Sequence, residues 1–118
     1  MKYFIIPSEF ACKCGCGFNE MKPDFLAKLI SAREISDVSY IINSGCRCET
    51  HNKAVGSSSK NHVEGRAVDI KAIDSQTRFK ILKGLISAGF TRIGIHERFI
   101  HVDNMEVEGL PPKVCWVY

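Results

Sequence analysis

Residues 59–71 read Ser59-Lys60-Asn61-His62-Val63-Glu64-Gly65-Arg66-Ala67-Val68-Asp69-Ile70-Lys71. The polar first half continues a loop that opens at Gly56-Ser57-Ser58 and delivers the chain to His62. In the second half, Val68 and Ile70 alternate with Asp69, the pattern of a strand buried on one face. Such a strand needs neighbours in an antiparallel sheet and a helical layer behind it.

Both can be found by working outward. From Pro23 the apolar positions Phe25, Leu26, Leu29, Ile30 and Ala32 recur at helical spacing. Pro23 suits a first turn and Asp24 complements the helix dipole there, which predicts a helix near 23–34. Tyr40, Ile41 and Ile42 form a short strand ending at Asn43-Ser44-Gly45, and residues 49–55 form about one helical turn. Downstream, Asp74 or Ser75 caps a second helix carried by Phe79, Leu82, Leu85 and Ile86, with Gly89 at its C-terminal stop. Arg92 to Ile95, Phe99 to Asp103 and Val114 to Tyr118 supply further strands, with a turn at Gly109-Leu110-Pro111-Pro112. The fold class is therefore α+β, with a mainly antiparallel sheet flanked by helices. Residues 1–20 are an irregular, Cys- and Gly-rich N-terminal segment.

The 118 residues suffice for one domain, 1–118, and its composition, 45% hydrophobic and 25% charged, is ordinary for a globular chain. A net charge of +3 suits an anionic polymer but is too weak a bias to argue for nucleic acid. No stretch approaches the roughly eighteen apolar residues of a membrane span. Met1 to Phe10 has neither the apolar run nor the cleavage site of a secretory signal, so the chain is expected to be synthesised in a cytoplasm. The six cysteines fall as Cys12, Cys14 and Cys16, then Cys46 and Cys48, then Cys115. Pairing cysteines one residue apart is strained, which leaves packed thiols, disulfides between the groups, or a second metal site.

Two segments carry chemistry, residues 59–70 and Phe99-Ile100-His101-Val102-Asp103. Zinc favours imidazole nitrogen and carboxylate oxygen, and a catalytic site keeps one position open. His62 and Asp69 can converge if Gly65 lets the chain turn back. His101 and Asp103, two apart, share one face of their strand while Ile100 and Val102 enter the core.

The ordered motifs Ser44-Gly45-Cys46-Arg47-Cys48-Glu49-Thr50-His51-Asn52, Val55-Gly56, His62-x-x-Gly65-x-Ala67-x-Asp69-Ile70, Gly94-Ile95 and Phe99 to Asp103 add to this. Together they resemble the zinc D-Ala-D-Ala carboxypeptidase family (peptidase family M15), in its short, single-domain type that includes phage lysin peptidases. Cys115-Trp116-Val117-Tyr118 is similar to that family's closing strand. The resemblance implies a hedgehog-like zinc peptidase fold, Zn2+ held by His62, Asp69 and His101, and Arg47 holding a substrate carboxylate or carbonyl. Many relatives carry an acid three residues before the last histidine; here that residue is Arg98. Asp103 is then the first candidate for general base, or else the partner that orients a ligand imidazole. Glu97 and His96 follow. His51 is read as a capping or packing residue, and Phe99 and Trp116 as core or cleft wall.

The reading that follows is a metallopeptidase acting on stem or cross-link peptides of bacterial peptidoglycan, as carboxypeptidase or endopeptidase. It is expected to be a monomer without nucleic-acid or membrane partners, acting at the cell wall or periplasm or in a phage particle. Two other readings stay open: a non-catalytic zinc-binding module of the same fold, and a Cys-rich adaptor whose histidines are incidental.

Overall fold

The structure, a computed structural model, describes residues 7–118; Met1 to Ile6, the start of the expected N-terminal segment, lie outside the described residues. After a 3-10 turn at Pro7–Phe10 come α1 (Pro23–Ser36), β1 (Ile42–Ser44), α2 (Glu49–Ala54), β2 (Ala67–Lys71), α3 (Ser75–Ser87), β3 (Arg92–Ile95), β4 (Phe99–Asp103), a 3-10 turn at Met105–Glu108 and β5 (Val114–Val117). The α+β class is as expected.

Local chemistry sets the helix limits. Pro23 stands in the first turn of α1, and Asp37, in the left-handed region at φ 56°, stops it by donating its N–H to the Arg33 carbonyl. The Asp74 carboxylate caps α3 by accepting from Thr77 N at 2.8 Å, and Gly89 at φ 98° follows its last turn. On α3 the expected apolar face is turned. Ile81 and Leu85 are buried, whereas Phe79 and Ile86 are largely exposed. The rotation follows from Gly84, where a Cβ would overlap Ser36 Oγ and the Ala32 carbonyl of α1. The helices approach closely along that line, and the residues beside it face inward.

The sheet runs β1-β2-β4-β3-β5. All pairs are antiparallel except β3 with β5, which is parallel because the 3-10 turn and the proline segment carry the chain back before β5 begins. Period-two alternation divides the two faces. Val68, Ile70, Ile93, Ile100 and Val102 enter one core with Phe25, Leu29, Ile81 and Leu85 of the helices. On the other face the register sets one row across all five strands: Ser44, Asp69, His101, Gly94 and Trp116. Among the described residues no helix is long and apolar enough to cross a membrane.

The helix contact gives a test. Gly84→Ala inserts a methyl where backbone already stands, and overpacking of this kind costs about 1–3 kcal/mol. Chemical denaturation is expected to show a lower midpoint with an unchanged slope.

A candidate metal centre in a sheet-face cleft

Asp69 and His101 sit directly opposite each other on β2 and β4, so the sheet register alone brings their side chains together. His101 Nδ1 lies 3.0 Å from Asp69 Oδ1. His62 arrives from the loop, and Gly65 is what returns that loop to the sheet. It has φ 72°, and a Cβ there would overlap the Glu20 carbonyl oxygen, so only glycine fits. Backbone bonds fix the turn on both sides, from Arg47 N to His62 O at 3.2 Å and from Lys22 N to Gly65 O at 2.9 Å. His62 Nε2 then stands 3.5 Å from Asp69 Oδ2. One ligand atom from each of His62, Asp69 and His101 falls within 4.8 Å of the others.

Both imidazoles are buried and held by the nitrogen that faces away from this point. His62 Nδ1 is 2.7 Å from the Gly45 carbonyl, which can only accept, so Nδ1 carries a hydrogen and Nε2 is the nitrogen turned toward Asp69. His101 Nε2 is 2.7 Å from Asp103 Oδ2, which directs Nδ1 toward Asp69. A carboxylate or carbonyl holding the outer nitrogen of an imidazole is the usual support of a metal-binding histidine. Two nitrogens and one carboxylate oxygen are a donor set that suits zinc, so the residues present fit the ion.

The electrostatics agree. Burial works against the charged form of Asp69, but hydrogen bonds and charge from His101 and His62 outweigh it and hold the carboxyl well below the usual range. Burial likewise disfavours the His101 cation, yet Asp103 and Asp69 prevail and raise its pKa. His101 thus lies between two carboxylates, Asp69 and Asp103, at a point where positive charge is favoured.

Of the two places expected for Asp103, general base or the partner that orients a ligand imidazole, its contact with His101 Nε2 corresponds to the second. Asp103 has no exposure, and its acceptor positions are taken by Arg92 Nε at 2.6 Å, Met105 N at 3.0 Å, Asn61 Nδ2 at 3.1 Å and His101 Nε2. It shares His101's strand face as expected, but it lies beneath the imidazole, closed to substrate. Arg98, Glu97 and His96 lie outside the cleft lining, and His51 is no part of the histidine–aspartate group.

Arg47, by contrast, lines the cleft of about 500 Å³ into which the three ligands open. Its Nε donates to Ser44 Oγ and its Nη1 to Asn52 Oδ1, each at 3.2 Å, and Nη2 lies 3.5 Å from Asp69 Oδ2. Buried Asn52 also donates to the Ser57 and Ser59 carbonyls, tying the 56–61 loop to the same corner. Phe99, Trp116 and Tyr118 form the opposite wall. Trp116 reaches it because Gly94, across the ladder, has no Cβ to meet the indole.

Reading the sequence missed Asn61 and Arg92. Arg92 is a buried arginine whose guanidinium pairs Asp103 and lies 5.5 Å from the Trp116 ring. An arginine in an otherwise apolar strand, aligned with an aspartate on a neighbouring one, was the available signal.

Comparison with known proteins adds a family. The family model described as Peptidase M15 matches residues 3–103, which contain all three ligand candidates and Arg47. Among curated proteins none matches the chain.

The geometry predicts different losses at different residues. His62→Ala or His101→Ala is expected to remove one equivalent of tightly held zinc, read by elemental analysis after dialysis. Asp103→Asn keeps all three ligand atoms and is expected to weaken zinc binding about 10–100-fold, measured by chelator competition.

Proposed function

Since the chain belongs to the peptidase M15 family, a family of metallopeptidases, we propose that it is a zinc-dependent hydrolase of peptide bonds in bacterial peptidoglycan. The observation that carries this reading is the meeting of His62, Asp69 and His101 in one cleft with the Arg47 guanidinium beside Asp69.

In this reading His62 Nε2, an Asp69 oxygen and His101 Nδ1 hold the ion. When bound, zinc polarises a carbonyl oxygen and lowers the pKa of water. Asp103 keeps the proton on His101 Nε2, so the other nitrogen stays a donor. Arg47 commits one N–H at each nitrogen to Ser44, Asn52 and Asp69. Each terminal nitrogen keeps one further N–H that a carboxylate or carbonyl can accept. A stem peptide ending in a free carboxylate, with its last amide over the ligands, is the substrate that uses this arrangement. The aromatic wall and the 56–61 loop hold the peptide extended between them. The protein acts as a monomer at the wall or in a phage particle, and its +3 charge favours approach to an anionic polymer.

One observation favours a second reading, a module that binds the same peptides without cutting them. Asp69 is the only carboxylate lining the cleft among the described residues, so the proton carrier of a hydrolase has no side chain assigned to it.

Incubation with muropeptides, followed by mass analysis, separates the readings. Hydrolysis is expected to stop with chelator and return with zinc; tight binding of intact peptides without products would establish the module instead. Charge-assisted hydrogen bonds are worth about 1.5–3 kcal/mol, so Arg47→Ala is expected to lower kcat/KM about 10–100-fold on peptides with a free terminal carboxylate. Amidated peptides should show little of that loss.

A further inference from the structure

A second group of metal-ligating side chains lies outside the cleft. Cys12, Cys14 and Cys16 come from the loop after the first 3-10 turn, and Cys48 from the residue before α2. Their four sulfurs all lie within 4.8 Å of one another. We propose that Cys12, Cys14, Cys16 and Cys48 form a closed structural site for a thiophilic divalent cation, zinc foremost, that clamps the N-terminal segment to the loop carrying Arg47.

The distances favour a metal over a disulfide. Sγ–Sγ separations are 3.4 Å for Cys12–Cys14, 3.7 Å for Cys14–Cys48 and 3.8 Å for Cys12–Cys48. A disulfide requires about 2.05 Å, and the chain holds all six cysteines as free thiols. Four sulfurs placed tetrahedrally at about 2.3 Å from zinc stand roughly 3.8 Å apart. Any one disulfide to Cys48 would also leave two further thiols crowded at the same point.

Burial does not explain the gathering either. Cys14 and Cys16 are exposed, so no apolar contact draws them in. Cys46 shows what a packed thiol looks like in this protein: it is buried apart from the group and accepts Glu20 N at 3.1 Å. The backbone around the four is shaped instead for sulfur. Gly15 and Gly17, both at φ 86°, reverse the chain after Cys14 and after Cys16, so that alternate residues face one point. Amide groups donate to the sulfurs, from Cys48 N to Cys12 at 3.5 Å, His51 N to Cys48 at 3.4 Å and Phe18 N to Cys16 at 3.5 Å. Such donors stabilise thiolate charge, and each thiol releases its proton as the cation binds.

Four protein ligands leave no open position, so the role is structural. Cys48 directly follows Arg47, and the clamp therefore fixes the loop that aims the guanidinium into the cleft.

The test uses the reduced full-length protein loaded with cobalt(II). Thiolate ligation gives an intense sulfur-to-cobalt charge-transfer band in the near ultraviolet, which the sulfur-free histidine–aspartate group cannot produce. The band is expected in wild type, unchanged in His62→Ala, and lost in Cys14→Ser/Cys48→Ser. Zinc content is expected to be about two per chain in wild type and about one in either variant. No charge-transfer band in the reduced wild type, or a band retained in Cys14→Ser/Cys48→Ser, overturns the proposal. The wild-type spectrum decides even if the double variant fails to fold, and peptide hydrolysis plays no part in the readout.

Discussion

A carboxylate without exposure needs a donor at every acceptor position, and Asp103 has four: Arg92 on β3, Asn61 in the loop, the Met105 amide and His101 on its own strand. Each bond reaches a different part of the structure. Removing any one partner leaves an uncompensated acceptor in a buried place, which is far costlier than the bond's own net worth. The carboxylate therefore fixes the orientation of His101, holds β3 against β4 at the end of their ladder and secures the loop beside His62. What happens in the cleft depends on a residue that never touches it.

The sheet above this anchor works by register. A slip of one residue would send Asp69 and His101 into the core and bring Val68 and Ile100 to the surface. The fully buried Val68, Ile70, Ile100 and Val102 penalise that slip strongly, so the apolar face specifies the polar one. Gly94 completes the row by absence, since a side chain there would displace the indole from the cleft wall.

Much of this was legible from local sequence. Pro23 and Asp74 mark helix starts by chemistry that acts within four residues, and the alternation in 67–71 and 99–103 gives strands and faces directly. The His62, Asp69 and His101 set was visible in motif order. What was hidden was non-local. Phe79 and Ile86 have the right period for a core face, and only the contact of Gly84 with α1 turns them outward. The parallel placement of β5 depends on the path of residues 105–113, which have no periodicity to read. Asp103 could be either base or support until Arg92 and Asn61, distant in sequence, were seen to occupy its oxygens. Cys48 joins the N-terminal cysteines for the same reason: a loop and a helix neighbour meet only in the folded chain.

The indole on the cleft wall belongs to the chain's single tryptophan, 5.5 Å from the His101 ring. Its fluorescence therefore comes from one place. An imidazolium quenches a neighbouring indole more strongly than a neutral imidazole does, and an ion on the imidazole changes the emission again. The protein thus contains an optical reporter at its own cleft, with no other emitter of that kind to mask it.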